Sequence, residues 1–147
     1  MIVPDASVVV ELLINGPLGE IIGSDLARSA KSLIVPHLLD IEVMSAVRTL
    51  TAARRIDSHT GHAVLNRLSL LPAERYAHQP LLPRIWELRH NFTAYDATYI
   101  ALAEATGSVL YTCDAKLARG HRARVVLYRN LSNCSETLPA SLAETQL

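Results

Sequence analysis

Four acidic residues of this 147-residue chain stand where their carboxylates can act together: Asp5, Glu42, Asp96 and Asp114. Asp5 and Asp114 each follow a short apolar run, and such runs predict buried strands. Ligands of parallel α/β sheets bind at the carboxyl ends of the strands, so we expect both carboxylates at one edge. Each also has a structural explanation, because Asp5 could form an Asx turn or helix cap and Asp114 could start a helix.

Glu42 belongs to a predicted helix that starts near His37. The main apolar stripe of this helix comprises Leu39, Val43, Ala46 and Leu50. Glu42 falls at the margin of that stripe, whereas Asp40 points roughly 160° away at the helical spacing of 100° per residue. An unpaired carboxylate there costs free energy unless a cation compensates it. We therefore select Glu42 for the site, the alternative being a flanking glutamate turned toward solvent.

Asp96 lies three residues after Thr93, a spacing that also fits a helix capping box. Closely packed carboxylates repel one another and take up protons unless a cation neutralises them. Hard divalent ions take oxygen ligands, and magnesium uses few carboxylates while it keeps several waters. The four acids together therefore predict a Mg²⁺ or Mn²⁺ site for phosphodiester hydrolysis, in which metal ions activate water and neutralise phosphate charge.

Other classes of phosphate chemistry fit the sequence less well. A receiver-like phosphorylation domain needs paired acids after its first strand, and only Asp5 stands there. A haloacid-dehalogenase-like phosphatase needs D-x-D, whereas the chain has Asp5, Ala6 and Ser7. The chain also lacks the glycine-rich motifs of nucleotide-binding loops.

The formal net charge is zero, so the distribution of charge is more informative than its sum. Twelve of the fourteen basic residues are arginine, and Arg119, Arg122 and Arg124 lie close together around His121. Arginine guanidinium groups match phosphate oxygens. These three arginines are therefore candidate RNA-binding residues, the alternative being a solvated loop and strand.

The predicted elements alternate between short apolar strands and helices. Strands are predicted at 2–4, 32–35, 73–77, 109–112 and 125–128. Helices are predicted at 8–14 with Ser7 as cap, and at 18–30, 37–54, 58–71, 80–89 and 94–106, with a short helix from Ala115. This order predicts an α/β fold in which helices cover both faces of a short, mostly parallel sheet.

One domain accounts for the length. We expect a nuclease domain at 1–129 and a polar C-terminal tail at 130–147. Cys113 and Cys134 fit neither a zinc site nor a disulfide framework, and a reducing cytoplasm suits them best. No apolar run approaches the roughly 18 residues of a membrane span, and the N-terminus does not resemble a signal peptide.

Four stretches in order resemble the PIN-domain family, and most closely its VapC toxins of bacterial toxin–antitoxin pairs. They read VPDAS at 3–7, PHLLDIEV at 36–43, YDATY at 95–99 and LYTCDAKL at 110–117. The resemblance covers about residues 1–129 and implies a three-layer α/β/α sandwich with a metal-dependent ribonuclease site. Many relatives carry a further acid shortly after the last one, where this chain has Leu117, Ala118 and Arg119.

The resemblance also assigns roles to residues of this chain. It implies Asp5, Asp96 and Asp114 as metal ligands, Glu42 as a further catalytic acid, and Ser7 and Thr112 as supporting hydroxyls. It implies Mg²⁺ or Mn²⁺ as cofactor, a cellular RNA as substrate, a cognate antitoxin and a homodimer. A rival hypothesis from another class is a catalytically silent PIN-like module that binds RNA or a protein partner.

The apolar helices bear on the expected partners. A helix at 38–50 with apolar residues on most sides must be covered by something. Val8, Val9, Leu12 and Leu13 likewise offer more apolar width than one flank of a small sheet needs. The alternative is that all these side chains fill the core of a single chain.

Overall fold

Five short strands, mostly of apolar residues, form the centre of the described residues. The computed structural model describes residues 1–129, and the tail predicted at 130–147 lies outside the described residues. The strands are β1 (Ile2–Pro4), β2 (Leu33–Pro36), β3 (Ala73–Tyr76), β4 (Val109–Thr112) and β5 (Arg124–Leu127). They pair in parallel in the order β3-β2-β1-β4-β5. The carboxyl ends of all five strands therefore lie at one edge.

In the described part of the chain, six α-helices cover the sheet: α1 (Ala6–Ile14), α2 (Pro17–Ser29), α3 (Leu38–Ala52), α4 (Ser58–Ser69), α5 (Leu82–Glu87) and α6 (Ala94–Thr106). Helix α1 packs on β1 and β4 and α3 packs on β2, while α2 and α4 pack on these two helices. Helix α6 packs on β1, β2 and β4 from the other face, with α5 against it. The predicted three-layer α/β/α sandwich is confirmed.

Within residues 1–129, no single helix has the length and apolar composition of a membrane span. Helices α1 and α2 meet those criteria only when they are taken together, as a pair bent by 107°.

The start of α1 differs from the sequence prediction. The predicted cap, Ser7, lies inside the helix, and Asp5 is the N-cap instead, with an extended backbone and a side chain that accepts from the Val8 N–H. Both residue types cap helices well, so local preference did not decide between them. Asp5 thus acts as the helix cap that was considered for it, and its carboxylate can also belong to the acidic site.

The segment predicted as one helix at 80–89 is divided into three. A 3-10 turn at Gln79–Leu81 leads into α5, and a second 3-10 turn at Leu88–His90 follows it. Pro80 and Pro83 bring no backbone N–H to this segment, and proline is tolerated only in the first turn of a helix. The prolines therefore favour short pieces over one continuous helix.

The core of the chain accounts for most of the apolar residues that suggested a partner. Val8, Val9 and Leu13 are buried within this single chain, so the alternative of one filled core holds for them. On α3, Ile41 and Met44 remain 65% and 52% exposed. The apolar surface left uncovered on α3 is therefore confined to part of one face.

Helices α1 and α2 approach each other closely at Gly19. A Cβ atom on Gly19 would fall well inside the van der Waals contact distance of the Glu11 carbonyl oxygen, whereas a Cβ on Gly23 would stand an ordinary 3.5 Å from Leu12 Cδ1. The backbone of α1 therefore leaves no room for a side chain at position 19. Gly23, in the same helix, provides a matched comparison.

We expect Gly19→Ala to lower the free energy of unfolding by about 1–3 kcal/mol, the usual range for overpacking. Gly23→Ala should leave it unchanged or raise it by up to about 1 kcal/mol, because alanine is the better helix former. Urea denaturation of both variants measures the difference. Equal effects of the two substitutions would contradict the close approach of α1 and α2.

Candidate active site

Asp5 lies at the carboxyl end of β1 and is 6% exposed. Its Oδ1 accepts from Ser7 Oγ at 2.5 Å and from the Val8 N–H at 3.0 Å, and its Oδ2 accepts from Thr112 Oγ1 at 2.5 Å. Burial raises the pKa of this carboxyl, and the hydrogen bonds from Ser7, Thr112 and Val8 oppose that shift. The carboxylate is therefore held in one orientation at a desolvated position.

Two hydroxyl groups join the carboxyl ends of β1 and β4. Thr112 Oγ1, which donates to Asp5, accepts from the Asp114 N–H at 2.9 Å, and Ser7 Oγ accepts from the Cys113 N–H at 3.0 Å. Thr112 is fully buried. The structure thus places Ser7 and Thr112, the hydroxyls expected in supporting roles, as links between Asp5 and the end of β4.

The order of the strands explains why these two ends carry the site. From β1 the chain moves outward to β2 and β3, and then returns to β4 on the other side of β1. The chain that leaves β1 and the chain that leaves β4 therefore run toward opposite sides of the sheet. Crevices at the carboxyl ends beside such a switch point are the usual ligand sites of open parallel sheets.

Helix α3 brings Glu42 to the same region. Glu42 Oε2 accepts from the Tyr99 hydroxyl at 2.5 Å, and Tyr99 is 2% exposed. The pKa of Glu42 is raised, first by burial and then by repulsion from the charges of Asp96 and Asp5. Asp40 instead accepts two hydrogen bonds from Arg75, both at 2.9 Å. Glu42 therefore faces the other acids, and Asp40 lies outside their group.

Asp96 occupies the first turn of α6. Its backbone N–H donates to Thr93 Oγ1 at 3.1 Å, so Thr93 caps the helix as the sequence suggested. Its carboxylate is half-buried and repels that of Glu42. The cap and the acidic site are thus compatible roles of one helix terminus.

Asp114 is connected to this group less directly. Its carboxylate accepts from the Lys116 N–H at 2.8 Å and caps the 3-10 turn Ala115–Ala118. The charges that raise the pKa of Glu42 do not include Asp114. Within residues 1–129, no three acidic, histidine or cysteine side chains converge closely enough to hold an ion. The joint role of the four acids as a metal site therefore stays a prediction.

Among residues 1–129, no basic side chain forms an ion pair with these acids. Each of the five ion pairs among residues 1–129 lies elsewhere, on Asp25, Asp40, Glu87 or Glu104. Burial raises the pKa of the neighbouring Cys113 thiol to about 11, so it stays uncharged near neutral pH. Unbalanced carboxylate oxygens are the hard donors that Mg²⁺ and Mn²⁺ prefer, so the donor set fits such an ion in its chemistry.

Sequence reasoning missed Tyr99. This residue lies three positions after Asp96, on the same face of α6, and its donation to Glu42 links α6 with α3. A tyrosine within a buried stretch of helix needs a hydrogen-bond partner for its hydroxyl. That requirement, together with the spacing from Asp96, was the available signal.

The candidate RNA-binding arginines are not all near the acids. Arg124 begins β5 and donates to the Gly107 carbonyl at 3.3 Å, while the Arg122 N–H donates to Glu104 at 2.8 Å. Both lie at the amino ends of the strands, the edge opposite Asp5. Arg119 is exposed after the 3-10 turn that follows β4. An RNA contact by Arg122 or Arg124 stays a prediction. Such a contact would lie at the amino ends of the strands, away from the acids.

The raised pKa values give the stability of the protein a defined pH dependence. The ordinary values of 3.8 for Asp5 and 4.5 for Glu42 are both raised in the folded state. Between the ordinary and raised values the folded chain binds more protons than the unfolded chain, so stability falls as pH rises. We expect the contribution of Asp5 and Glu42 to the free energy of unfolding to decrease as pH rises above about 4. Asp25, Asp57 and Glu104, whose pKa values are lowered, contribute in the opposite direction. Glu42→Gln should therefore become more stable relative to the parent protein as pH rises. Chemical denaturation across pH measures it.

Glu74→Gln, on the exposed side of β3, controls for the loss of one charge. A steeper decrease in Glu42→Gln than in the parent protein would contradict a raised pKa for Glu42.

Comparison with protein-family models places this geometry in a known context. Residues 2–122 match the model of the PIN domain. This range contains all four acids and both supporting hydroxyls.

Curated relatives match over most of their own length. The chain is 36% identical over 129 residues to Ribonuclease VapC12 of Mycobacterium tuberculosis, covering 86% of this chain and 98% of that protein. It is 40% identical over 119 residues to Ribonuclease VapC9 of the same organism, covering 80% and 89%. Among solved structures, PAE2754 from Pyrobaculum aerophilum has a TM-score of 0.66 at 22% identity, covering 84% of this chain and 81% of its own, and so shares the fold.

Proposed function

From its membership of the PIN-domain family, and within it of the VapC ribonucleases, we propose that the chain is an endoribonuclease. It depends on Mg²⁺ or Mn²⁺ and acts as the toxin of a toxin–antitoxin pair. Its substrate is a structured cellular RNA. We propose that the nuclease domain spans residues 1–129 and that the protein is located in the cytoplasm.

One observation supports this proposal most directly. Asp5, Glu42 and Asp96 come from three different elements, and the charges of Asp96 and Asp5 act on Glu42. None of the three forms an ion pair with a basic side chain among the described residues. A structural role requires no such grouping, because like charges oppose it. A site that recruits a cation and a phosphate does require it.

The proposed mechanism assigns a task to each side chain. Asp5, Asp96 and Asp114 would hold the ion, which when bound supplies an activated water and neutralises charge on the phosphate. Ser7 and Thr112 keep the Asp5 carboxylate oriented. The Tyr99 hydroxyl orients Glu42. Glu42 accepts the proton of the attacking water, and its raised pKa makes it a better base for that step.

The alternative of a silent PIN-like module that binds RNA or protein without cutting is not favoured. The relatives that match most of the chain are ribonucleases by name. This chain keeps the acids at all four positions of the pattern.

We expect Asp96→Asn and Glu42→Gln to abolish RNA cleavage without unfolding the protein, because each removes a charge from the site and little volume from the core. Asp40→Asn is the matched control on α3, since Asp40 pairs with Arg75 outside the site. Gel analysis of total RNA incubated with each variant measures the effect. Full activity of Asp96→Asn in magnesium buffer would contradict the metal mechanism, as would cleavage by the parent protein in excess EDTA.

Binding of Mn²⁺ can be measured separately from cleavage. Calorimetric titration should give a saturable site in the parent protein and in Asp40→Asn, and a much weaker one in Asp96→Asn. A site that Asp96→Asn leaves unchanged would place the metal elsewhere.

Partners are part of the same proposal. A groove of about 960 Å³ runs along α1 and α3 from Ser7 and Glu42, and Ile41 and Leu50 line it. Such a groove suits the apolar face of an antitoxin helix. An arginine of the antitoxin could pair with the carboxylates and compete with the metal. We also propose that the toxin is a homodimer, which would cover further apolar surface.

We expect the complex with the product of the neighbouring upstream gene to be inactive, and added divalent metal to restore activity only in part, because the antitoxin helix still occupies the groove. Light scattering after size exclusion gives the oligomeric state of the toxin, and cleavage assays with and without the partner give inhibition. A strictly monomeric toxin that the partner does not inhibit would reject this part of the proposal.

A further inference from the structure

Tyr95 presents an exposed aromatic ring beside the acids. Its side chain is 60% exposed, and among the described residues only Trp86, at 67%, is an aromatic residue similarly open to solvent. Tyr95 immediately precedes Asp96 and lines the same groove as Ser7 and Glu42. A large ring is thus held at the entrance to the acidic site.

The backbone that carries this ring is fixed. Thr93 caps α6 through the Asp96 N–H. The helix is then anchored by residues 97–103, all of them buried. Tyr95 therefore stands on a rigid first turn, so little order has to be imposed on it when a ligand binds.

The two exposed aromatic rings differ in their surroundings. The guanidinium of Arg89 lies 4.5 Å from the centre of the Trp86 ring. Tyr95 takes part in none of the ring–ring or ring–cation contacts found in residues 1–129. Trp86 is also absent from the residues that line the groove. Tyr95 is therefore the aromatic face available to a ligand of the acidic site.

We propose that Tyr95 stacks on a base of single-stranded RNA, at a nucleotide next to the phosphodiester that is cut. Aromatic side chains bind unpaired RNA bases by stacking, and each base is covalently tied to its phosphate. A phosphate at the carboxylates therefore brings a neighbouring base within reach of the same groove. This inference rests on the proposed ribonuclease function and adds that the substrate must offer an unstacked base, as a loop does and a duplex does not.

Binding to a defined probe tests this role without cleavage. The probe is a single-stranded RNA ten-mer of mixed sequence that carries 2-aminopurine. The protein carries Glu42→Gln, so that the strand stays intact while the three proposed metal ligands are kept. In that background we expect Tyr95→Leu to weaken binding about tenfold or more and to abolish the quenching of 2-aminopurine. Tyr95→Phe, which keeps the ring, and Trp86→Leu, the control outside the groove, should bind as the background does.

The outcomes distinguish a failure of the stacking role from a failure of the proposed ribonuclease function. Equal binding by Tyr95→Leu and its background overturns the stacking role, while cleavage by the parent protein still supports the ribonuclease. Equally tight binding of the annealed duplex also overturns it. Loss of antitoxin inhibition in Tyr95→Leu with unchanged RNA binding overturns it and assigns the ring to a protein interface. If the background binds no RNA and the parent cuts none, both proposals fail.

Discussion

Burial of the Asp5 carboxylate is the constraint from which the rest of the site follows. A buried carboxylate is tolerated only when hydrogen-bond donors replace its lost water. Those donors are the Ser7 hydroxyl, the Val8 N–H and the Thr112 hydroxyl. These donors come from the start of α1 and the end of β4. The Asp5 side chain therefore fixes the direction in which α1 leaves the sheet and holds the carboxyl ends of β1 and β4 together.

The other acids make this arrangement less stable. Burial raises the pKa of Glu42, and repulsion from the like charges of Asp96 and Asp5 raises it further. Tyr99 offsets part of this by its hydrogen bond to Glu42. Natural proteins accept such local conflicts where function requires them, and the apolar packing of α6 and the central strands stabilises the fold against them.

Much of this arrangement was predictable from local patterns. The strand ends before Asp5 and Asp114 and the Thr93 cap of α6 follow from short-range rules. Helical spacing separates Glu42 from Asp40. Contacts between elements were not predictable in this way. Asp5 rather than Ser7 caps α1, and its carboxylate also accepts from Thr112 of β4. The hydrogen bond from Tyr99 to Glu42 joins two helices. The position of Arg122 and Arg124 at the opposite edge depends on where the chain crosses back to start β5.

The hydrogen bond from Thr112 to Asp5 joins residues 107 positions apart in the chain. The central strand β1 is synthesised first, yet its partner β4 and the hydroxyl that holds Asp5 come almost last among the described residues. Contacts of such long sequence separation form late, because the loop they close must first lose its conformational entropy. A chain still on the ribosome, or one truncated before Thr112, therefore lacks both the donor to Asp5 and the strand that carries Asp114. Such incomplete translation products cannot assemble the site, so any toxicity it confers begins only after β4 has been made.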